Sequence, residues 1–139
     1  MRLSVFLAET LSQQLVTDLQ KIYLNYLPQT SLTEAAISNS LTSTRLYLTM
    51  FNARHIGAVK VQLEGDKATL SELCIRDITR RRGVGKNLLK RIEEALLPEG
   101  IKEIQYDLDE VSEEELLATQ AFLTNSFYEI DNKLAVKKL

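Results

Sequence analysis

"TRRRGVGKNLLKRIEEALL", Thr79–Leu97, runs three arginines into two glycines and then into a stretch whose apolar positions repeat at helical spacing. The first four N–H groups of a helix lack intrahelical partners, and the aligned peptide dipoles place partial positive charge there. A glycine-rich entrance to a helix is therefore a natural anion site. Gly83 and Gly85 let phosphate oxygens approach the backbone, and Arg80, Arg81 and Arg82 add charge-assisted hydrogen bonds. A helix terminus alone contributes only about 0.3 to 1 kcal/mol at an exposed site, so the added charge matters. Together these groups suit a pyrophosphate; the competing reading is a solvated turn ahead of a helix.

Working outward, "ATLSELCI" before this turn is strand-like, and "RLYLTMF" and "IGAVKVQL" before it are rich in aliphatic and β-branched residues. "NARH" between the latter two predicts a hairpin with a four-residue loop, and "EGDK" turns the chain into the third strand of an antiparallel meander. Upstream, "RLSVFLA" reads as a first strand. "SQQLVTDLQKIYLNYL" places Leu15, Leu19, Ile22, Tyr23 and Tyr26 on one helical face ended by Pro28. Ser31 followed by Glu34 is a capping-box signature for a short second helix. Downstream, "PEG" breaks the helix, "IKEIQYDL" reads as a strand, "SEEELLATQAFLTN" as a helix, and "FYEI" and "KLAVKK" as closing strands around "DN". The expected order is β, α, α, β, β, β, α, β, α, β, β.

Composition removes several classes of function. A length of 139 residues, 45% hydrophobic and 26% charged, suffices for one ordinary globular domain, residues 1–139, and is too short for two of typical size. No apolar run approaches the roughly 20 residues needed to span a bilayer, and "MRLSVFLAET" falls short of a signal segment, so a soluble cytoplasmic protein without membrane contact is expected. One cysteine, Cys74, and one histidine, His55, exclude an internal disulfide and argue against a zinc site of about four ligands. A net charge of −2 argues against nucleic-acid binding. A Walker A loop fails because Gly83 and Gly85 are too close and Asn87 follows Lys86. A dinucleotide fingerprint fails because Leu88 stands where its third glycine belongs.

Arg80-x-x-Gly83-x-Gly85 between a strand and a helix resembles the pyrophosphate loop of the GCN5-related N-acetyltransferase (GNAT) superfamily. "LSELCI" is similar to the family's fourth strand, and "AFLTNSFYEI" to its helix-to-strand passage near the C-terminus. The resemblance implies an α/β (α+β) GNAT fold: a mixed central sheet of about seven strands, helices on both faces and a V-shaped splay between strands four and five. It also implies that acetyl-CoA or CoA binds with its acyl thioester in that splay.

A narrower resemblance is carried by "DLQKIYLNYLP", "MFNARHIGAVKVQL" and "LCIRDITRRRGVGKNLL". These are similar to the GNAT-like maturation and regulatory factors of aspartate 1-decarboxylase, the PanM or PanZ family. It implies an acetyl-CoA-bound regulator that docks on the decarboxylase proenzyme and promotes the self-cleavage that creates its pyruvoyl group. It also implies restraint of the mature enzyme, which couples pantothenate and coenzyme A synthesis to acetyl-CoA. Carried over by position, Ile75, Arg76, Arg80, Arg81, Arg82, Gly83, Val84, Gly85 and Lys86 are the expected cofactor residues, and Asn52 and Arg54 the partner-facing ones. Met50 stands where a relative has an arginine. Asn52 also suits ordinary turn chemistry, since Asn tolerates left-handed backbone.

No catalytic residue is assigned. In many GNAT enzymes a tyrosine protonates the departing thiolate, and the matching position here is Phe122, with Ser126 at a glycine position ahead of Phe127. Tyr106 and Tyr128 are expected as half-buried packing residues, Cys74 as a small core hydrophobe and His55 as a solvated turn residue. Glu72 is a candidate base if its strand register turns it toward the cleft. An N-acetyltransferase of a small amine or protein amine remains the alternative function.

Overall fold

The computed structural model describes residues 3–24, 26–76 and 83–139. Two tight turns set its central meander. Asn52 and Ala53, at φ 50° and 61°, link strand β2 (Arg45–Phe51) to β3 (Arg54–Glu64), and Gly65 with Asp66 links β3 to β4 (Lys67–Ile75). Left-handed residues at both central positions match the twist of the flanking strands, which is why Asn is favoured there. β1 (Ser4–Leu7) lies antiparallel outside β2. Helix α3 (Val84–Leu96) carries the chain over to β5 (Glu103–Asp107), parallel to β4; β7 (Leu134–Lys138) and β6 (Glu129–Asp131) complete the order β1-β2-β3-β4-β5-β7-β6.

Strand alternation divides the core between the two faces. Val59, Val61 and Leu70 point to one side, where Leu88, Leu89, Ile92 and Leu96 of α3 cover them. Ala58, Leu46 and Leu48 point to the other, under Leu15, Leu19 and Ile22 of α1 (Gln13–Ile22) and Ile37 of α2 (Glu34–Ser40). Each such leucine contributes about 1.5 to 3 kcal/mol by leaving water. Helix α4 (Glu113–Asn125) flanks the α3 side and buries only Leu123 fully. Among the described residues no helix is long and apolar enough to cross a membrane.

The α/β GNAT fold is the expected one, and its splay has a local cause. β4 pairs with β5 only from Lys67↔Glu103 to Leu70↔Tyr106, after which β4 continues to Ile75 alone. In the same stretch the β3–β4 register shifts, and Glu72 takes φ 52°, a β-bulge. The extra residue flips the alternation: Leu73 and Ile75 pack with the α3 side, and Cys74 with the α1 side.

Four local expectations are corrected. Helix α1 ends at Ile22 rather than running to Tyr26; Pro28 disfavours helical geometry for the residue before it, and the Tyr26 and Leu27 amides close back on Tyr23 O instead. Thr33, not Ser31, caps α2, its hydroxyl accepting the Ala36 amide at 3.1 Å, because Ser31 is already held in a 3-10 turn, Gln29–Ser31. The hairpin loop is two residues, not four, so Arg54 and His55 belong to β3. His55 is consequently buried, 7% exposed, and not a solvated turn residue.

Candidate functional site

Where β4 and β5 part, a cleft of about 460 Å³ opens between β4, the start of α3 and α4. Its walls include Ile75, Gly83, Val84, Gly85, Lys86 and Phe122, and its inner end is closed by Leu73, Tyr106 and Tyr26. Successive strand amides point to opposite edges. Since the Arg76 amide donates to Ile56 O at 2.8 Å, those of Leu73 and Ile75 face the parted side. The Leu73 amide donates there to the Tyr106 hydroxyl oxygen at 3.1 Å.

The two glycines do different work. Gly83 is the residue before α3, at φ 75°, and a Cβ there would meet no described atom within 4 Å, so the helix entrance is open and its conformation requires glycine. A Cβ on Gly85 would stand 3.1 Å from the Phe122 ring. Gly85 thus makes room for the Phe122 ring. Val84 is buried, whereas Lys86 is exposed at the cleft mouth. A Cβ on Gly57 would stand 2.6 Å from Ile75 Cδ1, so that glycine seats Ile75 on the cleft wall. Arg80, Arg81 and Arg82 lie outside the described residues.

A second cavity of about 410 Å³ lies on the far side of Tyr26, Cys74 and Glu115, which line both. It holds Glu72, Glu110, Glu114 and Glu115 against Lys21. Glu72, the candidate base, faces this far cavity and has Lys60 Nζ 2.7 Å from its carboxylate. Cys74 is buried with Sγ donating to Ile22 O at 3.1 Å. Tyr106 is 2% exposed, and burial pushes its hydroxyl well above the usual tyrosine range. Tyr128 is buried with Glu93 nearby, and its hydroxyl is raised chiefly by burial as well.

The hairpin tip carries an arrangement that residue patterns did not reveal. Asp18 on α1 is fully buried, and its carboxylate accepts the His55 amide at 3.1 Å, His55 Nδ1–H at 2.7 Å and Gln14 Nε2 at 2.8 Å. An ionised carboxylate only accepts, which fixes the proton on Nδ1. Arg54 stands 3.7 Å from the same carboxylate. Burial works against the charge, but the His55 and Gln14 hydrogen bonds outweigh it and hold Asp18 below the usual carboxylate range. Asn52 and Arg54 are both exposed at this tip, and the positive φ of Asn52 gives it the turn role outright. The only hint in the sequence was an acidic residue among apolar ones on α1.

Comparison with known proteins agrees with this geometry. A family model described as acetyltransferase (GNAT) domain, PanZ, matches residues 2–135. The chain is 37% identical over 92 residues to the PanD regulatory factor of Escherichia coli K12, spanning 66% of this chain and 67% of that one. It is 40% identical over 93 residues, with the same coverage, to the PanD regulatory factor of Salmonella typhimurium LT2. Among solved structures, E. coli YhhK bound to coenzyme A superposes over 100% of both chains with a TM-score of 0.79 and 29% identity.

Proposed function

The chain belongs to the PanZ family of GNAT acetyltransferase domains, and from that premise we propose that it is an acetyl-CoA-binding regulator of aspartate 1-decarboxylase. One observation carries the cofactor half: the parted strands form a cleft whose mouth is the uncapped, left-handed Gly83 entrance to α3. The pyrophosphate would take the first-turn amides of Val84, Gly85 and Lys86, with Arg80, Arg81 and Arg82 supplying charge. The pantetheine arm would run along Ile75 and Leu73, on the edge that β5 leaves, with the thioester at the inner end. When bound, the group supplies an acyl thioester; the chain binds and orients it, and Phe122 has no proton to give a leaving thiolate.

The partner half rests on the relatives' name, PanD regulatory factor, with PanD as the decarboxylase. Docking on the proenzyme and promotion of its self-cleavage to the pyruvoyl form follow in this proposal, as does restraint of the mature enzyme under high acetyl-CoA. The exposed tip at Asn52 and Arg54, tied to α1 through Asp18, is the proposed contact. Asn52→Gly keeps the left-handed turn while removing the side chain. It should weaken co-purification of the proenzyme and leave acetyl-CoA affinity in the free protein unchanged; undiminished co-purification would remove Asn52 from the interface.

The far cavity gives specific support to a second reading, N-acetyltransfer to a small amine or protein amine, because its carboxylates could receive a cationic acceptor. Against it, the position that matches the usual proton donor is Phe122, and burial holds the Tyr106 hydroxyl in the same cleft well above the usual tyrosine range. Thiol-release assays separate the two: general acid catalysis is typically worth about 10² to 10⁴ in rate, so slow release with all amines is expected. Vigorous turnover would promote the second reading.

A further inference from the structure

Two tyrosines, Tyr26 and Tyr106, line the cleft, and a third, Tyr23, packs behind Tyr26. The Tyr23 hydroxyl donates to the carbonyl of the bulge residue Glu72 at 2.7 Å. The Tyr23 and Tyr26 rings are 6.1 Å apart between centroids and tilted by 46°. Tyr26 and Tyr106 both line the cleft, and the Tyr106 hydroxyl oxygen accepts the Leu73 amide at 3.1 Å. The bulge and the segment after α1 are therefore joined through Tyr23, and the parted edge of β4 is held by Tyr106. Tyr106 is part of the core and fixed by β5 on its own account. Tyr26 is half-buried, comes from outside any regular element, and lines both cavities.

We infer that the Tyr26 ring, with Glu115 beside it, is the partition that limits the acyl group this protein holds to a short, two-carbon chain. This rests on the acyl-CoA reading of the cleft. With the pyrophosphate at Gly83 and the arm along Ile75 and Leu73, the acyl group reaches the point where Tyr26 stands. Beyond the ring lies about 410 Å³ of further space, walled by carboxylates. The space for a longer chain thus exists in the molecule and is closed off by side chains. The ring lies between the two cavities and packs in a tilted contact with the Tyr23 ring, which is itself anchored on the bulge through its hydroxyl. It also keeps the thioester from any acceptor entering through the far cavity, which fits a protein that senses an acyl carrier without consuming it.

Titration calorimetry with CoA, acetyl-CoA and hexanoyl-CoA tests this. In the wild type, hexanoyl-CoA should bind about tenfold or more weakly than acetyl-CoA, since forcing extra methylenes into a filled site commonly costs that much. Tyr26→Ala should bring the ratio of the two affinities to within about threefold, because the cavities merge and the added methylenes find room. Tyr26→Phe retains the ring and should retain the wild-type ratio. Glu115→Ala, on the half-buried side of α4, should relax the ratio part of the way and carries the test if Tyr26→Ala does not fold. A wild-type protein that binds CoA but shows equal acetyl and hexanoyl affinities would overturn the partition while leaving the CoA site standing. So would a tenfold ratio that survives both Tyr26→Ala and Glu115→Ala. A wild type that binds none of the three thioesters or CoA would overturn the cofactor reading, and the partition with it.

Discussion

Helices α3 and α4 both begin at the splay, and their first turns are opposites. The first turn of α3 has no acidic residue, whereas the first turn of α4 holds Glu113, Glu114 and Glu115; neither N-cap residue, Gly83 or Ser112, caps its helix with its own side chain. Each helix start carries the same partial positive charge. In α4 the chain's own carboxylates answer it, whereas in α3 it is left for a ligand. The two cavities inherit this difference: the α3 side has backbone amides, apolar walls and Lys86, and the α1 side has four carboxylates against Lys21. The splay made by the bulge at Glu72 opens space on both sides, and in the proposed function the flanking helix starts decide which space takes a phosphate.

Destroying the α3 side should have the largest effect. Gly83→Asp puts a side chain at φ 75° and a negative charge at the entrance, and affinity for CoA should fall by at least about 100-fold, since left-handed strain, lost amide contacts and repulsion act together. Calorimetry showing unchanged affinity would remove the site from α3.

A change outside the cleft should alter stability and leave CoA binding alone. Asp18→Asn removes the charge that holds His55 and Arg54, at about 1.5 to 3 kcal/mol near pH 7 for lost charged hydrogen bonds. The Asp18 carboxyl is held below its ordinary value of about 3.9. A depressed folded-state value means its stabilisation is fully present above the unfolded value and is lost as pH falls through the folded one. Urea titrations should therefore show the wild-type advantage shrinking below about pH 4, with CoA affinity at neutral pH unaltered. An advantage that persists undiminished in strong acid would contradict the assigned role of the charge.

The smallest effect tests the acidic side directly. Converting Glu110, Glu114 and Glu115 to Gln should tighten CoA binding by about twofold at low salt, and the gain should vanish near 1 M salt where the Debye length is about 3 Å. A loss of affinity instead would mean that those carboxylates belong to the ligand site.

The fold was legible because its signals are local and redundant. Aliphatic alternation marked β2, β3 and β4, and the glycines at 83 and 85 marked the entrance to α3. The site was half legible. The turn into α3 at Gly83 could be read from the spacing, whereas only packing reveals the Phe122 ring against Gly85. His55 was misplaced because a two-residue and a four-residue hairpin read alike when the flanking residues are polar, and one step of register moves a side chain from water to core. Asp18 was missed for a related reason: its partner His55 is 37 residues away, and nothing near Asp18 in the chain announces it. The tyrosines were invisible as a group because Tyr23, Tyr26 and Tyr106 meet only after the bulge shifts β4.

The central claim is that the ligand in the α3 half and the decarboxylase report on one another. Linkage requires each to tighten the other by the same factor, commonly about 5- to 150-fold in coupled systems. The direct measurement is a titration of decarboxylase proenzyme into this protein at zero and at saturating acetyl-CoA. Tighter binding in the second titration, by a factor that matches the gain in acetyl-CoA affinity when the proenzyme is present, is the expected result. Equal affinities in the two titrations would mean that the protein does not gate this partner by acetyl-CoA.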